Sequence, residues 1–206
     1  MSEWWLNEFI GLAISGSVRV AVDIGANEGE WSYLLSRCFD HVIAVEPDPR
    51  AYQSLESSAA PNTLAVNAAA SDSDGEATLY VRSNPLQTSL LAEHPIGAGD
   101  CSAAPIVDSF SIKTITLNSL RDTAYAHFGT SHIDFVKIDV EGAEDLVLAG
   151  ATPELFRATK FLIEVHNRER EVGEQLRRLC RSDVRIMRHP APGAHKKHFW
   201  IYVEGT

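Results

Sequence analysis

Short apolar runs along this chain each give way to a stretch with helical spacing, and the alternation repeats. Val20-Ala-Val-Asp-Ile24 suits a strand covered on both faces. A glycine turn and a helix over about Asn27–Arg37 follow. His41–Glu46 reads as a second strand, stopped by Pro47 and Pro49. A helix over Pro49–Ser58 and a third strand at Thr63–Asn67 come next. Later elements are a helix over Leu117–Phe128, a strand at Ile133–Asp139, a helix ending near Gly150, a strand at Lys160–His166 and a polar helix over 169–181. The alternation predicts an α/β fold with a doubly wound, mostly parallel sheet. Val184–Arg188 and His198–Val203, joined by a short loop, predict an antiparallel pair at its end.

Two regions depart from this rhythm. Glu76–Val81 and Phe110–Thr116 have strand composition, with a Ser/Pro/Gly/Ala-rich loop over 82–108 between them. An inserted β-ribbon over 76–116, with the loop mobile or folded over a site, is expected. Residues 3–14 place Trp5, Phe9 and Leu12 on one helical face. That N-terminal helix, within 1–18, suits a lid over a substrate pocket, a contact in a homo-oligomer, or simple packing on the domain.

With 206 residues the chain reads as a single domain spanning 1–206. Its formal net charge of -10 argues against a nucleic-acid or anionic-membrane surface as main partner. Cys38, Cys101 and Cys180 match no zinc or disulfide spacing, as expected of reduced thiols in a cytoplasmic protein. No apolar run spans a bilayer.

The first strand and its turn carry the chemistry. Gly25 and Gly29 let the backbone turn tightly and approach a ligand. Gly25-Ala-Asn-Glu-Gly29-Glu30 lacks the middle and last glycines of a dinucleotide fingerprint, and no Lys-Ser/Thr follows as in a P-loop. Asp23, Glu28 and Glu30 would repel a pyrophosphate and suit a ligand carrying an amine and a sulfonium. S-adenosylmethionine is such a ligand. Asp23 and the turn would then face its methionine part, and Glu46, ending the second strand, would grip the ribose hydroxyls. Asn67 and Ala68 fall where the adenine should lie.

The sequence resembles the FkbM family of class I S-adenosylmethionine-dependent methyltransferases. The resemblance rests on Val22–Gly29, Val45-Glu-Pro47, Asn67–Asp72 with Gly75, Ser89-Leu90, Ile115–Leu120, Val136–Glu144 with Gly150-Ala151, and Ile163–His166. It implies a Rossmann-like fold of seven strands and methyl transfer, commonly to a hydroxyl of a sugar or natural product. It also implies cofactor binding by Asp23, Gly25, Asn27 and Glu46, and an acceptor pocket bordered by Ser89. Asn118 departs from the family, which usually has Asp there.

Neighbouring strands ending at Asp139 and His166 would bring Asp139, Glu141, Glu164 and His166 together. His166, with a pKa near working pH, is the natural base for a hydroxyl proton, oriented by Glu164. Asp139 is the rival base, with Glu141 beside it. A divalent metal on Asp139, Glu164 or Glu141, and His166 is a second reading. Lys137 and Glu144 read as structural: an ion-pair partner and a first-turn helix acid. Trp31 suits either a cover for the cofactor or core packing. The cluster His189, His195, Lys196, Lys197 and His198 reads as a solvated turn. An NAD-type dehydrogenase and a non-catalytic S-adenosylmethionine-binding module are the alternatives to a methyltransferase acting on a small hydroxylated acceptor.

Overall fold

The computed structural model describes residues 19–84, 87–92, 104–166, 168–180, 184–190 and 198–205. The expected N-terminal helix, the middle of the 82–108 loop and His195–Lys197 lie outside these residues. The described strands are β1 (Val20–Ile24), β2 (His41–Val45), β3 (Thr63–Val66), β4 (Ala69–Ala70), β5 (Gly75–Arg82), β6 (Ile106–Ile115), β7 (Phe135–Ile138), β8 (Lys160–His166), β9 (Val184–Pro190) and β10 (His198–Gly205). The helices are α1 (Glu30–Ser36), α2 (Pro49–Ser58), α3 (Leu117–Phe128), α4 (Glu144–Ala149), α5 (Pro153–Ala158) and α6 (Glu169–Leu179).

A seven-stranded sheet runs in the order β3-β2-β1-β7-β8-β10-β9. Pairing is parallel from β3 to β8, and β10 is antiparallel to both β8 and β9. The order reverses between β1 and β7, so the switch-point crevice opens at the carboxyl ends of these strands. A separate sheet, β4-β6-β5, holds the ribbon: β5 and β6 pair antiparallel, and β6 pairs parallel with Ala69–Ala70. Two alanines carry no periodicity, so the sequence does not mark Ala69-Ala70 as a strand.

The two-residue period of the strands sorts side chains onto two faces. Val20, Val22, Ile24, Val136, Ile138, Phe161, Ile163 and Val165 meet α3, α4 and α6 in the main core. Ala21, Phe135 and Leu162 face the other way, against Leu35 and Phe39. Asp23, Lys137 and Glu164 share that second face by parity, and Asp23 lies beside Lys137 in the β1–β7 register. The fold therefore carries a row of ionisable groups across three adjacent strands.

Helix starts follow local capping. Asp48 accepts from Arg50 N ahead of Pro49, Thr116 from Ser119 N, and Thr152 from Leu155 N ahead of Pro153. The Thr152-Pro153 cap marks α5, a short helix the periodicity did not reveal. Helix α1 opens at Glu30 rather than Asn27, because Gly25, Asn27 and Gly29 all have positive φ (74°, 50° and 97°). At Gly150 a Cβ would stand 2.2 Å from the Ser71 carbonyl oxygen, so α4 meets the 69–71 strand end through bare backbone.

Candidate active site

The turn after β1 folds back on its neighbours. Gly25 N and Ala26 N both donate to the Val45 carbonyl, at 3.0 and 3.1 Å. A Cβ on Gly25 would meet the Asp139 carbonyl oxygen at 1.8 Å. With φ also positive, Gly25→Ala is expected to destabilise the fold by at least about 2 kcal/mol. A thermal melt should show this as a fall of roughly 4–8 °C.

Glu46 follows β2 and is buried. Its Oε2 accepts from Asn27 N and its Oε1 from Asp48 N, both at 2.8 Å. One carboxylate thus ties the glycine turn to the start of α2. Burial pushes its pKa up to about 7, against the two N–H groups that favour the charged form. Asn67 Nδ2 donates to the Glu46 carbonyl at 2.8 Å and so steadies the same corner.

On the other side of the crevice lies a polar pole. Lys137, buried, places Nζ 3.2 Å from Asp23 Oδ1, 3.5 Å from Asp139 Oδ2 and 3.1 Å from the Gly25 carbonyl oxygen. Burial disfavours its charge, but Asp23 and Asp139 outweigh this and raise its pKa. His166 Nδ1 lies 2.8 Å from Glu144 Oε1, and Glu144 also accepts from Gly142 N at 2.9 Å. His166 Nε2 points among three carboxylates: Glu141 at 3.7 Å, Glu164 at 3.8 Å and Asp139 at 3.9 Å. Glu141 holds a left-handed backbone (φ 54°), unusual for a residue with a side chain and concentrated at functional turns.

These charges shift one another. Burial works against the His166 charge, yet the Glu144 contact and the Glu141, Glu144 and Asp139 charges raise its pKa to about 10. Burial, with Asp139 beside it, raises Glu164 to about 7. Glu46 therefore contributes stability that is present below pH 4.5 and lost as pH rises to about 7. The His166 contribution is present below pH 6.5 and lost through about pH 10. The denaturant midpoint of cofactor-free protein in chelating buffer should accordingly fall from about pH 5 to about pH 9.

A cleft with about 840 Å³ of empty space, part of it open to solvent, joins the two sides. Gly25, Asn27 and Glu46 line one flank, Asp139 and Glu141 another, and Ala69, Ala70, Thr88, Ser89 and Leu90 the wall from the ribbon. Its lining of turn backbone, one buried carboxylate and an apolar wall suits a nucleoside joined to an amino acid.

The expected site residues divide by position. Asp139, Glu141, Glu164 and His166 come together, and Gly25, Asn27, Glu46 and Ser89 share the cleft. Asp23 is 0% exposed and lies off the cleft wall, held by Lys137 and by Ser32 Oγ at 2.6 Å. Gly29 packs over Leu55 instead of the cleft. Asn67 and Ala68 lie one step behind Ala69 and Ala70, the residues that form the wall. Trp31 packs on the second core face, 5.8 Å by centroid from Lys137 Nζ. Two expectations are corrected. Burial disfavours the His166 charge, but the carboxylates around it raise its pKa to about 10, above the working range expected of a base. Its orienting partner is Glu144, not Glu164. Glu144 opens α4, and the packing of α4 against β8, which no local pattern reveals, brings it to His166.

A family model described as the methyltransferase FkbM domain matches residues 23–186. The chain belongs to the FkbM methyltransferase family. It is thereby a member of the S-adenosylmethionine-dependent methyltransferases. No curated protein matches it significantly. Among solved structures, a candidate methyltransferase from Streptococcus mutans in complex with SAH aligns with TM-score 0.58 and 10% identity, over 100% of this chain and 98% of that one. An rRNA methylase from Streptococcus thermophilus aligns with TM-score 0.56 and 9% identity, over 98% and 94%. A precorrin 8w decarboxylase from Methanobacterium thermoautotrophicum aligns with TM-score 0.53 and 13% identity, over 100% and 91%. At these identities the likeness is one of fold: a Rossmann-like α/β domain with a mixed sheet. No described helix is long and apolar enough to cross a membrane.

Proposed function

We propose that this FkbM-family chain transfers a methyl group from S-adenosylmethionine to a hydroxyl of a small acceptor. The observation that carries this reading is the cleft itself, with a buried carboxylate at the end of β2, a left-handed turn after β1 and a carboxylate pole at the end of β7. Glu46 grips the ribose hydroxyls, while Ala69 and Ala70 form the floor under the adenine. The Gly25–Asn27 turn takes the methionine end. Asp23 and Lys137 act from beneath, fixing the turn through the Gly25 carbonyl.

The acceptor enters between the Thr88–Leu90 wall and the Asp139–Glu141 turn. Its oxygen attacks the sulfonium methyl in line. The C–O bond forms as the S–CH₃ bond breaks, and S-adenosylhomocysteine leaves. The hydroxyl proton goes to Glu141, which lines the cleft and has a partly exposed side chain. His166 is not the acceptor of that proton: it lies outside the cleft lining, and its Nδ1 faces Glu144.

The acidic pole and the net charge of -10 favour a neutral or cationic acceptor, such as a sugar or natural-product alcohol, over a nucleic acid. The test is incubation with isotopically methyl-labelled S-adenosylmethionine and a panel of hydroxylated small molecules, with RNA as the competing acceptor. Label in an O–CH₃ group, lost in Glu141→Gln, is the expected result. Label only in RNA or on nitrogen would overturn the assignment.

A further inference from the structure

We infer that Asp139, Glu164 and His166 form a binding site for a first-row divalent cation at the Asp139 end of the cleft. One donor atom from each residue lies within 4.8 Å of the other two. His166 Nε2 stands 3.8 Å from Glu164 Oε1 and 3.9 Å from Asp139 Oδ1. These separations are the right length for shared ligation. Two donors each about 2.0–2.2 Å from one ion stand roughly 3–4 Å apart.

A second observation is independent of these separations. His166 is 3% exposed, and its Nδ1 is committed to Glu144 Oε1 at 2.8 Å. Glu144 is 0% exposed and pinned by Gly142 N. A buried carboxylate that fixes one ring nitrogen and aims the other at a ligand site is the usual support of a metal-bound histidine. Here it aims Nε2 between Asp139 and Glu164. Asp139 divides its two oxygens: Oδ2 toward Lys137 and Oδ1 toward His166.

The charges agree with the geometry. Asp139, Glu141 and Glu164, each part-buried, crowd His166, with Lys137 3.5 Å from Asp139 Oδ2; a dication would offset the negative charge that remains. One nitrogen and two carboxylate donors suit manganese, iron or zinc better than calcium. Asp139 and Glu141 reach the cleft, so an ion on Asp139 would meet the acceptor oxygen and lower its pKa, with Glu141 left to take the proton. This catalytic role rests on the methyl-transfer reading above; the cation site does not.

The test is Mn²⁺ titration of the chelator-stripped full chain, followed by electron paramagnetic resonance, with S-adenosylhomocysteine calorimetry on the same samples. One Mn²⁺ per chain is expected. Glu164→Gln and Asp139→Asn should weaken it at least about 10-fold, and Glu144→Gln roughly 10–100-fold. Retained S-adenosylhomocysteine binding in the variants shows that they are folded. No Mn²⁺ binding, or binding equal in wild type and all three variants, would overturn the inference while leaving the cofactor reading intact. Mn²⁺ binding without S-adenosylhomocysteine binding would support the cation site and sink the methyl-transfer role.

Discussion

Replacing Lys137 with methionine is expected to cost about 3–5 kcal/mol of folding stability. Lys137 and Asp23 face each other across the β1–β7 register, both fully enclosed, with Nζ 3.2 Å from Asp23 Oδ1. Among the described residues, removing the cation leaves Asp23 with the Ser32 hydroxyl alone to offset a buried charge. Urea denaturation should show the loss as a lower midpoint at unchanged slope. The double variant Asp23→Asn/Lys137→Met removes both charges and should recover most of it. Equal stability of Lys137→Met and wild type would mean that the pair contributes nothing, and that the turn is held by packing alone.

The second large effect lies at Glu46. Glu46→Ala should weaken S-adenosylhomocysteine binding by roughly 10–150-fold, the range for losing a hydrogen bond to a charged group. It also frees the N–H groups of Asn27 and Asp48, both held at 2.8 Å, so the turn loses its tie to α2. Because Glu46 sits at about 7, wild-type affinity should rise with pH up to that value and then level off. The variant should show no such rise. An unchanged affinity in Glu46→Ala would remove the ribose assignment.

The sheet was legible because its apolar runs are long and bounded by Gly and Pro. The antiparallel β9–β10 pair was legible from its short connection. Where expectations slipped, the cause was local backbone or charge. The start of α1 moved because Asn27 takes a left-handed conformation that composition does not reveal. Strand β4 escaped notice because two alanines gain strand geometry only by pairing with Thr114 and Ile115. The meeting of Asp139, Glu141, Glu164 and His166 followed from strand parity and sheet order. The direction of the His166 shift did not, since it depends on Glu144, a residue whose burial is set by tertiary packing. Asp23 likewise has the composition of a ligand residue, yet its parity places it on the α1 face under the turn.

The crevice between β1, β2 and β7 is expected to hold S-adenosylmethionine. Calorimetric titration with S-adenosylhomocysteine, with NAD as the paired control, tests it most directly. One-to-one binding of S-adenosylhomocysteine, weakened in Glu46→Ala and absent for NAD, is the predicted result. Binding of NAD alone, or of neither ligand, would contradict the account.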